Sequence, residues 1–352
     1  MRADRTAAEQ KWAARLRATG ALLQLGTGTL GKRLEQAGAA GIIASRWSNG
    51  WGVNKIFDTK NERAPALDLS CEDYGLLFRL AENIQGPIVR VRAESEFLGE
   101  VPAFNTIAEI KGIEKPDEYV MLSAHFDSWD GGSGATDNGT GTITMMEAMR
   151  VLKAVYPRPK RTILVGHWSG EEQRLNGSRS FAADHPEVVR GLHALFNQDN
   201  GTGRVSNISM QGFTGAGANF TRWAVHLPLE ISRHISWIFP GAPSGGGSDS
   251  ASFVCHGAPA FGLGSNSWEY GTYTWHTNRD TFDKIVWDDL KNNATLVAML
   301  VYLASEDPDR VPRDRRIFSP GAPAQAAPGG FPQPSEWPKC VTPARTSSQS
   351  TR

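Results

Sequence analysis

The sequence predicts an α/β fold: a three-layer arrangement in which helices cover both faces of one sheet, with a smaller α/β unit ahead of it. Three observations predict this. The chain has 352 residues, which at about 150 residues per domain suggests about two domains and a large core. Its make-up, 40% hydrophobic and 21% charged, is that of a globular protein and excludes a disordered chain, a coiled coil or a fibrous repeat. Beyond Asn105, apolar strand candidates alternate with helical segments, the pattern of a sheet covered on both sides.

The elements follow in order. Residues 7–19 read as a short amphipathic helix and 30–38 as a second helical pattern. Apolar runs at 41–45, 66–70 and 87–93 read as strands, with a helix over 72–83 between the last two. This first region, 1–100, has no run of ionisable residues suited to an active site, and a boundary falls near 101–105. The main domain, 101–312, offers strands at 106–110, 119–124, 162–165, 192–196, 207–210 and 260–263. Its helices are expected at 141–155, 178–184, 219–231 and 287–305. The last stretch, 313–352, carries seven prolines from Pro320 to Pro343. Proline removes a donor and fixes φ, so an irregular tail is expected, either a loose tether or a wrap over the body through Trp337 and Cys340.

Charge and cysteine content narrow the function. Lys+Arg and Asp+Glu are equal at 37 each. A chain without net charge gains little from counterion release or lipid attraction, so neither a nucleic acid nor a membrane surface is expected as a partner. Cys71, Cys255 and Cys340 are odd in number and widely spaced. They allow at most one disulfide, and neither a disulfide framework nor a four-cysteine zinc site. The N-terminal MRADRTAAEQKWAARLRATGALL lacks the apolar core of a signal peptide, and no stretch approaches the roughly 18 apolar residues of a bilayer span.

The chemistry-bearing residues gather at strand ends. YVMLSA runs into His125-Phe126-Asp127, TILVGHWSG into Glu171-Glu172, and LHALFNQ into Asp199. In open α/β sheets, ligand sites lie beyond the carboxyl ends of the strands. Two loops add Asp137, in GGSGATDNGTG, and His276, in YTWHTNRDT. Imidazole and carboxylate are the usual Zn²⁺ ligands where no thiolate serves. His125, Asp137, Glu172, Asp199 and His276 therefore form a candidate ligand set, in which Asp137 has two oxygens with which to bridge two ions ~3.5–4 Å apart. Three ligands per zinc leave a position for water, and a bridging hydroxide would bring the charge of two Zn²⁺ and three carboxylates to zero. Glu171, left over beside a ligand, is the candidate general base. Asp127, two residues after His125 along an extended chain, is the candidate acceptor of the other imidazole N–H.

Each of these residues also has an ordinary reading. Asp137 suits a turn or helix cap, Asp199-Asn200-Gly201 a turn, Glu171-Glu172 a solvated pair, and each histidine a structural role. His167, in mid-strand, reads as structural, as do His185, His193, His226, His234 and His256, which have no acidic companion at useful spacing. The case for a site rests on the five candidates occurring together.

HFDSWDGGSGATDNGTG, SGEEQRLNGSRSF, NQDNGTG, SDSASF and WHTNRDTFDKI resemble, in order, the motifs of the di-zinc exopeptidases, the family of bacterial leucyl aminopeptidases and plasma glutamate carboxypeptidase. The resemblance covers about 105–305. It implies the zinc exopeptidase fold with a mixed sheet, and two Zn²⁺ per chain. One zinc would sit on His125, Asp137 and Asp199, the other on Asp137, Glu172 and His276, with Glu171 as base and Asp127 orienting His125. Asp249, in GGGSDSASF, matches a Ser-Asp pair of the family and is expected behind the ligands or facing substrate. GKRLEQAGAAGIIAS and APALDLSCEDYGLLFRLAE resemble the later half of a protease-associated domain, so 1–100 is expected to be a partial one, without the leader and first half that precede it in the family. Members of the family are mostly exported.

The activity implied is metallo-exopeptidase: hydrolysis of terminal peptide bonds, as an aminopeptidase, carboxypeptidase or dipeptidase. A homodimer is compatible with it. Trp129, Trp268, Tyr270, Tyr273 and Trp275 flank the motifs and are candidates to wall a side-chain pocket or to donate to an oxyanion, with core packing as their ordinary reading. Two alternatives stand beside this one. A glutaminyl-cyclase-like acyltransferase uses a related fold and similar ligands with one zinc. A non-catalytic binding module of the transferrin-receptor kind would be expected to lack ligands that this chain retains.

Overall fold

The computed structural model describes residues 27–45, 53–57, 61–94, 96, 98–317 and 336–343. The helix expected at 7–19 and the prolines at 320–334 lie outside them. The chain divides into two compact units, Met1–Val101 and Pro102–Arg352, each described by itself.

In the first unit, α1 (Thr27–Gln36) precedes β1 (Ile42–Ala44), β2 (Ala66–Asp68) and α2 (Cys71–Glu82). β1 and β2 pair in parallel, Ile42 opposite Ala66. Ser70, two residues beyond the second strand, caps α2, accepting the Asp73 N–H at 3.1 Å. The Glu35 carboxylate accepts the backbone N–H groups of Ala64 and Arg63 at 2.6 and 2.5 Å, which hold its pKa below the usual range. The strand expected at 87–93 does not form. It has no ladder partner among the described residues, and Ile88 and Val89 stand exposed. An apolar run becomes a strand only where another strand accepts its hydrogen bonds.

The second unit runs β3 (Thr106–Ile110), β4 (Lys115–His125), α3 (Thr140–Val155), β5 (Arg161–Trp168), α4 (Asn176–Asp184), α5 (Pro186–Gly191), β6 (Leu192–Asn197), β7 (Val205–Ser209), α6 (Ala216–Ala224), α7 (Leu229–Ser232), β8 (Ser236–Ile238), α8 (Ala251–Val254), β9 (Ala260–Ser265) and α9 (Trp287–Glu306). The strands form one mixed sheet in the order β3-β5-β4-β6-β9-β7-β8. β5, β4, β6 and β9 are parallel neighbours, while β3 and β7 run antiparallel to β5 and β9. Two groups of helices flank it. α3 packs on α9 and both reach β4 and β5, whereas α4 packs on α5 and α8. β5 and β6 are buried along their whole length, as parallel strands covered on both faces must be.

Three differences from the sequence expectation have local causes. The helix expected at 219–231 is two helices, because Pro228 has no N–H to continue α6 and instead opens α7. α5 was not expected, although Pro186 at its first turn is a start signal. β8 joins the sheet by parallel pairing with β7, a long-range contact that no local pattern announces.

Arg161 is fully buried and fastens the end of α9. Its guanidinium donates to Glu118 Oε2 at 2.6 Å and to the carbonyls of Ala304, Ser305 and Asp307 at 3.1, 3.0 and 2.5 Å. Residues 313–316, assigned above to the tail, are bonded to the body. Thr214 N–H donates to the Asp314 carbonyl, and Arg316 N–H to that of Gly212, each at 2.9 Å. Further on, segment 336–343 lies against the same unit. The Trp337 indole donates to the Val254 carbonyl at 2.9 Å, and Cys340 is disulfide-bonded to Cys255. Of the two fates open for Trp337 and Cys340, the structure has the wrap. No helix among the described residues is long and apolar enough to cross a membrane.

Candidate metal centre

β4 is the point where the connections diverge: β5 lies on one side of it and β6 on the other. The crevice beyond the carboxyl ends of such strands is where α/β sheets place ligands. His125 is the last residue of β4, Glu171 and Glu172 follow β5, and Asp199 follows β6. Buried hydrogen bonds beneath the site brace these strands. The Trp168 indole donates to Ser123 Oγ at 2.8 Å, and Ser123 Oγ donates to Asn197 Oδ1 at 2.6 Å.

The structure brings all five candidate ligands together. His125 Nε2 lies 3.1 Å from Asp199 Oδ1 and 3.3 Å from Asp137 Oδ1. His276 Nε2 lies 3.0 Å from Glu172 Oε2 and 3.5 Å from Asp137 Oδ2. Asp137 thus turns one oxygen to each histidine. Two groups result, His125/Asp137/Asp199 and Asp137/Glu172/His276, each with ligand atoms within 4.8 Å of one another. His125, Glu171 and Glu172 form a third such group.

The donor and acceptor balance shows what these groups lack. His125 Nδ1 is 2.9 Å from the Asp127 carbonyl, which can only accept, so Nδ1 carries the proton in a neutral ring. Nε2 then faces two carboxylate oxygens with a lone pair. Only a cation satisfies three acceptors, either a proton on Nε2 or a metal. In the metal-free protein it is the proton. Burial disfavours the imidazolium, but Asp199 and Asp137 outweigh it and hold the His125 pKa well above the usual range. Asp137 Oδ2 and Glu172 Oε1 are buried with no hydrogen-bond partner among the described residues. A buried carboxylate oxygen left so is costly, and a bound cation would relieve it. The residues therefore fit one metal or two.

The acidic groups feel one another. Burial pushes Asp137 up to about 6, opposed by its contact with His125. Glu171 is held well above the usual carboxylate range by burial and then by the charge of Asp199. Asp249 is fully buried, both its oxygens without a hydrogen-bond partner among the described residues, and burial pushes it up to about 7.

Asp127 acts differently from the expectation. Its carboxylate is 3.7 Å from His125 Nδ1, and the ring hydrogen bond goes to its carbonyl instead. β4 ends at His125, so the i, i+2 rule of an extended strand no longer applies. The freed carboxylate accepts the N–H groups of Glu171 and Glu172 at 3.1 and 3.2 Å, which holds that loop.

The aromatic residues divide. Trp129 donates to Glu172 Oε2 at 2.7 Å, and the rings of Trp129 and Trp275 lie 5.7 and 4.2 Å from that of His276. Trp268 donates to Asp289 Oδ2 at the start of α9, and Tyr273 is partly exposed. Tyr270 sits over Gly201, where φ is +77° and a Cβ would lie 2.7 Å from the Tyr270 ring. His167 is buried in β5, consistent with a structural reading. Asp280, which the sequence reading passed over, accepts hydrogen bonds from Thr136 and Asp137. Its one signal is an acidic residue four positions after His276.

A model of peptidase family M28 matches residues 105–301. Carboxypeptidase Q of Mus musculus is 26% identical over 264 residues, 74% of this chain and 54% of its own. The chain thus spans about half the length of such curated relatives. The crystal structure of a peptidase M28 precursor from Shewanella amazonensis has a TM-score of 0.65 at 26% identity, covering 78% of this chain and 62% of that one. BSAP, a zinc aminopeptidase from Bacillus subtilis, is similar in fold, with a TM-score of 0.57 at 21% identity over 81% of this chain and 69% of its own. Because one family model accounts for the sheet from its first strand into its last helix, over more than half of the residues, the chain belongs to peptidase family M28.

Proposed function

We propose that the protein is a zinc-dependent exopeptidase that hydrolyses terminal peptide bonds of peptides or dipeptides. The observation that carries the reading is the placement of Asp137, one oxygen 3.3 Å from His125 Nε2 and the other 3.5 Å from His276 Nε2. His125, Asp137 and Asp199 would hold one zinc, and Asp137, Glu172 and His276 a second. Zinc bound there would supply Lewis acidity toward the scissile carbonyl and lower the pKa of water to near neutrality.

The chain's own residues do the rest. Glu171 takes the proton of the attacking water and passes it to the leaving amine. Burial favours its protonated form, so a nearby cation is what restores the carboxylate as a base. Asp127 keeps Glu171 in place through the backbone N–H groups of 171 and 172, and fixes the His125 ring through its carbonyl. Membership of family M28, with carboxypeptidase Q among the relatives, supports a peptide as substrate.

The test is metal content together with a panel of free-amine, blocked and carboxy-blocked dipeptides. Two zincs per chain and cleavage that depends on a free terminus are expected. One metal per chain, with cyclisation of N-terminal glutamine and no peptide hydrolysis, would replace this reading with the acyltransferase one.

A further inference from the structure

We infer that Asp280 is a positioning residue that sets the direction of the Asp137 carboxylate and so keeps Asp137 available to both ligand groups. The inference rests on the metal reading above. Asp280 is buried, in the loop that follows His276. Its Oδ1 accepts the Thr136 N–H and the Thr136 hydroxyl, both at 2.7 Å, and its Oδ2 accepts the Asp137 N–H at 2.9 Å. Both oxygens are thus spent on two adjacent residues, the second of them Asp137.

The backbone there needs such a partner. Asp137 has φ −128° and ψ 86°, and Asn138 φ −129° and ψ 39°, neither of them helical. The two N–H groups that Asp280 takes up therefore have no place in a regular helix or strand ladder, and burying them unpaired would be costly. The Asp280 carbonyl adds the Ser133 N–H at 2.8 Å, so its main chain holds the same loop. Nothing separates the two segments: a Cβ on Gly132 would lie 2.8 Å from the Thr277 carbonyl oxygen and 3.1 Å from that of Asp280. His276 lies four residues earlier in the same loop. One side chain thus ties the backbone of one ligand to the loop that carries another.

Asp137 has to face two histidines at once, so its tolerance for rotation is small. A turn of the 136–137 peptide that brings one oxygen nearer His125 draws the other from His276. Asp280 grips that peptide at its amide, and all three incoming groups are donors. An amide in its place offers one acceptor oxygen and one NH₂, which would oppose an N–H.

The test compares Asp280→Asn with the wild-type full chain, both stripped of metal. Zinc affinity is read by competition with a chromophoric chelator, and the thermal midpoint of the stripped chains is read in parallel. Asp280→Asn is expected to bind zinc about 10- to 100-fold more weakly. Thr136→Val, which removes one bond to Oδ1 and leaves the Asp137 N–H contact, is expected to lose less. In the Co²⁺-loaded proteins, the magnetic coupling of two ions sharing Asp137 is expected in wild type and reduced in Asp280→Asn. A purely structural staple would lower the stripped-chain midpoint and leave zinc affinity and coupling unchanged, which overturns the inference alone. Should Asp280→Asn not fold, Asp280→Glu keeps the carboxylate but displaces it, and wild-type zinc affinity in that variant overturns the inference equally. A wild-type chain that binds no zinc overturns the metal reading itself.

Discussion

The Trp129 indole N–H donates to Glu172 Oε2 at 2.7 Å, the same oxygen that lies 3.0 Å from His276 Nε2. Two groups thus aim one carboxylate oxygen, and a hydrogen bond to a charged acceptor contributes more than a neutral one. Trp129→Phe keeps a ring beside His276 and removes only the donor. It is expected to lower kcat/KM by about tenfold or more, with the fold intact by circular dichroism. Unchanged turnover would show that Glu172 needs no such guide.

Glu171→Gln preserves shape and removes the base. It is expected to retain metal and to lose turnover by roughly 10²- to 10⁴-fold. Metal analysis and steady-state kinetics on the same preparation check this. Near-normal kcat would move the proton transfer to another group.

His193, which takes no part in the proposed chemistry, governs an acid limb of stability. The Val311 N–H donates to its Nδ1 at 3.0 Å, so Nδ1 must stay unprotonated. Burial, then Arg161, depresses its pKa from 6.5 to about 3. The unfolded chain therefore takes up this proton first. The resulting stability is present above pH 6.5 and is lost as pH falls from there toward 3, by on the order of a few kcal/mol. His193→Gln keeps an acceptor for Val311 and does not titrate. Its denaturation midpoint is expected to fall less steeply than that of wild type over this window, and parallel curves would contradict the assignment.

The Cys255–Cys340 disulfide joins residues 85 apart and holds the segment that carries Trp337. Replacing both cysteines by alanine is expected to lower stability by about 2–4 kcal/mol, and reduction of the wild type to do nearly the same. Thermal unfolding with and without reductant measures both. An unchanged midpoint would mean that Trp337 alone anchors the segment.

Much of the fold was legible because the signals are local. β4, β5 and β6 are apolar runs bounded by turn residues, and α3 and α9 are long periodic segments, so each was readable within a few residues of its ends. The run at 87–93 has the same apolar character and forms no strand, and β8 forms one without announcing itself. Pairing depends on a partner elsewhere in the chain, which a window of ten residues does not contain.

The same division holds for the site. The order of the sequence by itself determined that two histidines and several carboxylates stand at strand ends and in two loops, because residue type and strand termination are local properties. Only the tertiary structure decided which oxygen faces which nitrogen: that Asp137 divides its two oxygens between His125 and His276, that Asp127 uses its carbonyl rather than its carboxylate on His125, and that Asp280 grips the Asp137 amide. Those relationships join residues as many as 143 positions apart, and they exist only once the sheet has set its strand ends side by side.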